Sequence, residues 1–272
     1  MMIDSNVKEY IVSLLSKDKR VDGRKLEEFR KPIIVETGVS IHAEGSARVL
    51  IGNTEVMAGV KMAVGTPFPD TPDQGVLITG AELLPLSNPE FESGPPGGPA
   101  TELARVVDRG IRESKMIDTK KLCIKEGELV WMIYLDIYTI NDDGNLLDAS
   151  ALAAVAALKN AVLPKLENNK VVYGEFTKDK LPLKRMPITC TLYKIGQRFV
   201  VDVNTKEEKA VDARLTVAVS EDDIINALQK GGSKGLTLEE IDTMIDVAIK
   251  KTKELRKVLE KWWSLQNMRK QE

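Results

Sequence analysis

Residues 129–166 decide the fold: LVWMIYLDIYTI (129–140), NDDG (141–144) and NLLDASALAAVAALKNAVLPKL (145–166). The first run is rich in β-branched and aromatic residues, which predicts a strand over 129–140. The Asn-Asp-Asp-Gly run is a turn signal. The alanine-rich run predicts a helix from Asp148 to Leu166, with Asp148 as its N-cap. A strand followed closely by a helix indicates a sheet packed against helices.

The residues before this unit contain further strand and helix patterns. They are an amphipathic helix through Val7, Tyr10, Ile11, Leu14 and Leu15, β-rich runs at 32–39, 47–51, 54–64 and 75–85, and a helix over 101–116. Gly52-Asn53 is a hairpin signal, and proline-rich loops cover 65–75 and 87–99. The N-terminal helix is set apart by charged residues, so we expect it to pack outside its own domain.

The residues after this unit repeat the same order. A charged stretch over 167–184 predicts a boundary, and strands follow at 188–195, 199–203, 213–219 and 224–229. A final helix opens at the capping box Thr237-Leu238-Glu239-Glu240 and runs past Lys261. Two successive strand-then-helix units predict an α+β fold. The predicted division is an N-terminal helix (1–19), a first domain (20–184) and a second domain (185–272).

Composition excludes several classes of protein. The 272 residues include 39 Lys and Arg against 41 Asp and Glu, for a net charge of −2, and 43% are hydrophobic. This balance argues against a disordered chain, a disulfide-stapled miniprotein or a basic nucleic-acid coat, so any nucleic acid must contact a local patch. Neither a signal-peptide pattern nor an apolar run of about 18 residues is present, so we expect a cytoplasmic protein without membrane contact.

The chain carries few of the residues that bind metals or form nucleophilic triads. Cys123 and Cys190 lie far apart in sequence, and His42 is the single histidine. A structural zinc site usually needs four Cys and His ligands. His42 follows a strand-like run, which indicates a surface or turn position. We therefore expect reduced thiols, no metal and no cofactor.

Three arginines line one edge of the helix predicted over 101–116. Arg105, Arg109 and Arg112 stand at i, i+4 and i+7, a spacing at which planar guanidinium groups could grip successive phosphates. The same helix offers acidic partners at helical spacing, and the pattern alone favours an ordinary ion-paired face. The expected pairs are Glu102–Arg105, Asp108–Arg112 and Arg109–Glu113.

Two other groups of residues have a chemical and a structural interpretation. Asp202, Glu207, Glu208 and Asp212 cluster after a predicted strand, where paired carboxylates could hold Mg²⁺ or act in acid–base chemistry. A loop of solvated acids is the commoner arrangement. The pair Trp262-Trp263 could stack on bases, but no basic patch surrounds it in sequence, so we expect it to anchor the last helix or contact a partner.

Several short motifs coincide over residues 18–260. They are Arg20-Val21-Asp22-Gly23-Arg24, Gly45-Ser46-Ala47-Arg48-Val49, Gly52-Asn53-Thr54, the ELARVVDR run at 102–109, Asp143-Gly144 and the acidic run 202–212. As a set they resemble the RNase PH family of phosphorolytic exoribonucleases, and within it the non-catalytic RNase PH-like subunits of archaeal exosome cores. The resemblance implies an RNase PH-like fold of two βαβ-type halves, each with a mixed sheet packed on helices.

The resemblance also implies that the phosphate site is degenerate. Catalytic members carry a hydroxyl residue and an arginine after the Asp-Gly turn, where a helix N-terminus receives inorganic phosphate. The matching positions here are Leu146 and Leu147, which donate no side-chain hydrogen bond and would desolvate the anion at a cost of several kcal/mol. Asp202 matches the first catalytic aspartate, whereas Glu208 stands where active members have a second aspartate. The resemblance therefore implies that this chain has no catalytic residues.

In the family, non-catalytic subunits supply basic side chains to the RNA path of a catalytic partner. Arg105 and Arg109 match those positions, and Arg112 continues their face. The implied partners are a catalytic RNase PH-like exosome subunit in a ring of three heterodimers, RNA-binding cap subunits, and single-stranded RNA degraded from its 3′ end.

Two alternatives stay open at this point. The first is a divergent phosphorolytic exoribonuclease that uses Asp202 and Glu208 as Mg²⁺ ligands. The second is a structural ring spacer in which Arg105 and Arg109 only pair with Glu102 and Glu113.

Overall fold

The computed structural model describes residues 5–269. The first half contains α1 (Ser5–Ser16), β1 (Ile33–Thr37), β2 (Gly45–Ile51), β3 (Thr54–Gly65), β4 (Val76–Glu82), α2 (Gly98–Glu113), β5 (Cys123–Lys125), β6 (Leu129–Asn141), α3 (Leu146–Asn160), β7 (Val162–Glu167) and β8 (Lys170–Lys180). The second half contains β9 (Ile188–Ile195), β10 (Arg198–Val201), α4 (Thr205–Glu208), β11 (Ala213–Val219), β12 (Ile225–Gly231) and α5 (Leu238–Arg269). The ends of the predicted 1–19 and 185–272 segments, residues 1–4 and 270–272, lie outside the described residues.

The first half is built on a mixed sheet with the strand order β1-β2-β3-β6-β4. β4 runs parallel to β6, with α2 in the connection between them, and the other neighbours are antiparallel. Along β3 every second residue is buried, which places Val56, Ala58 and Val60 in the core. The alanine-rich helix α3 packs closely on this sheet. A Cβ on Gly45 of β2 would lie 2.4 Å from the carbonyl oxygen of Ala157, so only glycine fits there.

The second half is a four-stranded sheet with the order β10-β9-β11-β12, covered by α5. All its neighbouring strands are antiparallel, so the expected mixed sheet is found in the first half only. The reason is topological: β10 and β11 point the same way, but β9 lies between them. The capping box is confirmed, since Thr237 N donates to Glu240 Oε2 at 3.0 Å and Glu240 N donates to Thr237 Oγ1 at 3.3 Å.

Both terminal helices fasten onto the rest of the chain. The N-terminal helix α1 packs on the second half, where Ile11 and Leu15 join Tyr193 and Val200 in a buried cluster. In α5, Trp262 Nε1 donates to the Ile33 carbonyl oxygen of β1 at 3.2 Å, so this tryptophan anchors the last helix as predicted. Within residues 5–269, no helix combines the length and the apolar character needed to cross a bilayer.

The prediction for α3 was wrong at both ends. The helix begins at Leu146 and ends at Asn160, and the residues predicted to continue it form β7. Pro164 explains this, because proline removes a helical hydrogen bond and clashes with the preceding turn. The charged stretch predicted as a boundary over 167–184 forms mainly β8, which pairs with β7. Asp148 is not the N-cap, since that position belongs to Asn145.

Candidate functional site

The chain turns into α3 through two residues in the left-handed region. Gly144 has φ +86° and Asn145 has φ +58°. A Cβ on Gly144 would lie 2.6 Å from the Val203 carbonyl oxygen, so this turn requires glycine. The Asn145 side chain forms no cap, because Nδ2 donates to Asp148 and Asp202 at 3.1 and 3.0 Å. The two leucines follow directly as the first residues of α3.

A cleft of about 310 Å³ opens in front of this helix start. Its apolar side is formed by Leu83, Phe91, Leu103, Leu146 and Leu147. Its polar side includes Asp142, Glu208, Lys209 and Arg214. The structure therefore brings Leu146, Leu147 and Glu208 together. The wall nearest the helix N-terminus combines isobutyl groups with carboxylates, a combination that disfavours an inorganic anion.

Four of the charged groups that line this cleft form two ion pairs. Arg214 Nη2 lies 2.6 Å from Glu102 Oε1, and Lys209 Nζ lies 2.7 Å from Glu90 Oε1. Burial and the charge of Asp142 raise the pKa of Glu208, Arg214 and Arg30 lower it, and the net result is a pKa of about 7. The Glu208 side chain still reaches solvent, so water screens part of this effect.

Asp202 does not line this cleft. Its side chain is fully buried, with 0% exposed, and its backbone has φ +53°. Arg30 holds both carboxylate oxygens, with Nε 3.0 Å from Oδ2 and Nη2 2.8 Å from Oδ1. Arg24 Nη1 approaches Oδ2 at 3.2 Å, and Asn145 donates to Oδ1. The carboxylate is therefore saturated by donors, and it ties the end of β10 to the start of α3 and to the segment before β1.

A second buried network joins α3 to the second sheet. Asp148 accepts from Thr191 Oγ1 at 2.7 Å, from Thr191 N at 3.1 Å and from Asn145 Nδ2. Burial raises the pKa of Asp148 to about 7, against the effect of these donors. Asp202 and Asp148 are thus structural links between the halves, whereas Glu208 lines the cleft together with Asp142. Across residues 5–269, His, Cys, Asp and Glu side chains form no group of three or more that could hold a metal ion.

The arginine-rich motif at 20–24 places α4 and hence Glu208. Arg20 Nε lies 2.9 Å from Glu207 Oε1 in a buried ion pair, and Arg20 Nη1 donates to the Val201 carbonyl oxygen at 2.8 Å. Asn204 caps the one-turn helix, since its Oδ1 accepts from Glu207 N at 3.0 Å. With Glu207 turned inward, the next residue, Glu208, turns toward the cleft.

The three arginines of α2 all lie exposed on one face. Of the pairs expected from helical spacing, only Arg112–Asp108 forms. Arg109 Nη1 instead donates to Gln229 Oε1 of β12 at 2.8 Å. Arg105 makes neither an ion pair nor a side-chain hydrogen bond with any residue in the described range, because Glu102 binds Arg214. The ordinary ion-paired face is therefore wrong for Arg105 and Arg109, and this face keeps its positive charge.

Sequence reasoning missed several charged residues that shape these features. Arg30 contacts Asp202 across 172 positions, and Arg214 on β11 pairs with Glu102 on α2. No local spacing signals such pairs, since they form only when the two halves meet. Lys209 follows Glu208 directly in the sequence, but its pairing with Glu90 depends on the fold of the loop over 87–99.

Both halves of the chain match the same protein family. Residues 28–164 match domain 1 of the 3′ exoribonuclease family, and residues 185–251 match its domain 2. The chain belongs to this 3′ exoribonuclease family, the RNase PH family. The predicted family and its α+β fold are therefore confirmed.

Particular members of the family are similar over nearly the whole chain. The exosome complex component Rrp42 of Methanosarcina acetivorans is 49% identical over 249 residues, which cover 92% of this chain and 91% of that protein. Rrp42 of Methanothermobacter thermautotrophicus is 45% identical over 262 residues, 96% of each chain. A chain of the Archaeoglobus fulgidus exosome, solved with RNA bound to the active site, superposes with a TM-score of 0.85 at 44% identity, covering 93% of this chain and 97% of that one.

Proposed function

We propose that this chain is a non-catalytic component of an RNA-degrading exosome ring. It pairs with a catalytic RNase PH-like subunit, helps to form that subunit's active site and holds single-stranded RNA for 3′-to-5′ phosphorolysis. The observation that carries the proposal is the contrast between a helix start lined by leucines and carboxylates and an exposed arginine face on the neighbouring helix. The similarity to exosome components supports the assembly.

The proposal extends to organisation and surroundings. The functional units are an N-terminal helix (1–19), a first domain (20–184) and a second domain (185–272). Three heterodimers with the catalytic subunit form the ring, RNA-binding cap subunits complete it, and the complex works in the cytoplasm. The similarity of the chain to archaeal exosome cores over most of its length supports this arrangement.

The lack of catalysis follows from the helix start of α3. An inorganic phosphate needs donors from its surroundings, and a helix N-terminus helps only where the anion can reach it. Here Leu146 and Leu147 stand in the first turn, and Glu208 and Asp142 add negative charge. Desolvating phosphate against such a wall would cost several kcal/mol. The alternative with Asp202 and Glu208 as Mg²⁺ ligands loses support because Arg30 and Arg24 saturate Asp202.

RNA binding follows from the face of α2. Arg105, Arg109 and Arg112 present guanidinium groups that can donate to phosphate oxygens without regard to sequence. Such contacts release counterions, so RNA affinity should fall as salt rises. The spacer alternative loses support because Arg105 and Arg109 do not pair with Glu102 and Glu113.

The test is the double substitution Arg105→Glu with Arg109→Glu in the reconstituted complex. Each lost phosphate contact removes about 0.7 from the slope of log affinity against log salt, so the slope should fall by about 1.4 and affinity at 0.1 M salt by about 25-fold or more. Fluorescence anisotropy with a labelled RNA measures both, and light scattering checks that the ring mass is unchanged.

A matched control is Lys250→Glu with Lys257→Glu, two exposed cations at helical spacing on α5. This control should leave RNA affinity within about twofold, because it lies outside the proposed path. Equal RNA affinity in the arginine variant and the unmodified complex would favour the spacer. A separate assay of the chain alone with RNA, Mg²⁺ and phosphate should show no turnover; turnover there would favour the enzyme alternative.

A further inference from the structure

A second cleft, of about 430 Å³, lies at the C-terminal end of α2. It opens between the loop that follows α2 and the segment that joins the two halves. Its charged lining consists of Arg112, Lys115, Lys120 and Lys184, together with Asp118. A bridge between Ile117 and Leu183 fixes the two sides of the cleft relative to each other. The cations therefore come from separate segments of the chain, which the bridge holds at fixed positions relative to each other.

Lys115 occupies a backbone position that normally favours glycine. Lys115 N donates to the Arg112 carbonyl oxygen at 3.0 Å and Met116 N donates to the Ile111 carbonyl oxygen at 3.2 Å, which together form a Schellman motif. Lys115 is the left-handed residue of this motif, with φ +54°. A side chain there is strained relative to glycine. A strained residue that also lines a cleft is a candidate for a functional role.

The cations of this cleft are exposed and only partly neutralised. Arg112 is 65% exposed, Lys120 is 72% exposed and Lys184 is 55% exposed. Their respective acidic partners are Asp108, Asp73 and Asp118. Lys115 is exposed and makes no ion pair within residues 5–269, and the same is true of the neighbouring Lys121. The four lining cations thus face three partner acids, which leaves a net positive charge.

The position of the cleft continues the arginine face of α2. Ten residues separate Arg105 from Lys115, which corresponds to about 15 Å along a helix. The apolar lining is aliphatic, with Leu77, Ile111 and Ile117, and the uncharged polar lining is Gln74 and Thr119; no aromatic ring lines the cleft among the described residues. In proteins that bind single-stranded nucleic acids, the bases are held largely by stacking on aromatic rings. The lining is therefore suited to phosphate groups rather than to bases.

We propose that this cleft binds phosphodiester groups of single-stranded RNA, as a continuation of the path along Arg105, Arg109 and Arg112. The inference rests on the proposed RNA-holding function and extends it beyond α2. Lys115 and Lys120 contribute the most accessible charges, and Lys184 stays paired with Asp118. Because the contacts are to phosphates, they are independent of RNA sequence.

The decisive variant is Lys115→Gly in the reconstituted complex. Glycine adopts this backbone conformation without strain, so the melting temperature of the chain should not fall. RNA affinity should nevertheless fall about fivefold at 0.1 M salt, with a slope smaller by about 0.7, as expected for one lost contact. Adding Lys120→Gln should bring the loss to about 25-fold and 1.4 in slope.

The outcomes separate this inference from the proposed function. The control Lys250→Gln with Lys257→Gln on α5 should change neither affinity nor slope. If Arg105→Glu with Arg109→Glu weakens RNA binding while Lys115→Gly with Lys120→Gln does not, the cleft is no RNA site and the proposed function stands. If neither pair has an effect, both proposals fail. Weaker assembly with the partner subunit at unchanged RNA affinity would show that the cleft contacts an acidic protein surface, which also overturns the inference.

Discussion

Two neighbouring helices of the first half differ in the side chains that they present to an anion. The start of α3 has the geometry of an anion site, yet leucines and carboxylates face it. The exposed face of α2 has no special backbone feature, yet it carries three arginines whose charge is only partly paired. The difference teaches that a helix terminus is a demanding anion site, since it needs an open approach, whereas a helix face needs only exposed cations.

The contacts at the start of α3 show that these residues stabilise the interface between the two halves. Asn145 and Asp148 point inward and bond to residues of the second half, so the first turn of the helix is part of the interface between the halves. α2 also contacts the second half, through Arg109 with Gln229 and Glu102 with Arg214, but Arg105 on its exposed face makes no such bond in the described part of the chain. Three variants of the chain test how far this contrast holds.

The largest loss of stability should come from Arg30→Met, which removes the ion pair with Asp202 near the start of α3. The substitution leaves the carboxylate of Asp202, 0% exposed, without its main partner. Removing one member of a buried pair costs about 3–5 kcal/mol of the free energy of unfolding, because the remaining charge stays desolvated. Urea unfolding measures this loss. The control Arg48→Met removes a partly exposed cation that pairs with Glu36 and Glu55, and it should cost about 1 kcal/mol or less. Equal losses in the two variants would contradict the role given to Asp202.

Much of the fold could be predicted because the decisive patterns are local. β6 was predicted within one residue, since its run of β-branched and aromatic residues ends at a clear turn signal. α2 was predicted within three residues at each end from its apolar stripe. The end of α3 was wrong because alanine content was weighed above Pro164, a local signal that was available. The hairpin of β7 and β8 was missed because its charged residues resemble a linker.

The candidate site was predictable in part. The family resemblance pointed to Leu146, Leu147 and Glu208, and the structure places all three in one cleft. It also grouped Asp202 with Glu208, but a pairing with Arg30 across 172 positions draws Asp202 into the core. Such long-range contacts leave no periodic trace in a sequence. Two of the three ion pairs expected within α2 do not form for the same reason, since Glu102 pairs with Arg214 of β11 and Arg109 bonds to Gln229 of β12.

The second-largest effect, a rise in melting temperature in phosphate, should come from restoring side-chain donors with Leu146→Ser and Leu147→Arg. A hydroxyl and a guanidinium at the first turn of α3 would give phosphate the donors that it lacks. At phosphate concentrations ten times its dissociation constant, binding should add about 1.4 kcal/mol to the free energy of unfolding, which raises the melting temperature by about 3–5 °C. Chloride at equal ionic strength should produce no such rise in the variant.

The unmodified chain is the control for that experiment. Its melting temperature should rise by less in phosphate than that of the variant, because Leu146 and Leu147 offer the anion no side-chain donor. The rise that it does show reports the general stabilising effect of phosphate and the cations of the cleft at the end of α2, which both chains share. A rise in the unmodified chain as large as that in the variant would contradict the contrast between the two helices. A larger rise in the variant would support it, since two side chains would then account for the difference.

The smallest effect should come from Glu208→Gln, which tests the acidic wall of the cleft. Burial raises the pKa of Glu208 from its ordinary value of 4.5 to about 7, so the folded state binds more protons than the unfolded state between these values. The contribution of this group to stability is therefore full below pH 4.5 and is lost as pH rises to 7. Glutamine mimics the protonated form at every pH. The variant should thus be more stable than the unmodified chain by about 1 kcal/mol at pH 8 and equally stable at pH 4.5. The gain is this small because the side chain reaches solvent and water screens part of the effect.

Urea unfolding of both chains at the two pH values measures this difference. A gain of equal size at both pH values would mean that Glu208 titrates normally, and the wall facing α3 would then carry a full negative charge at neutral pH.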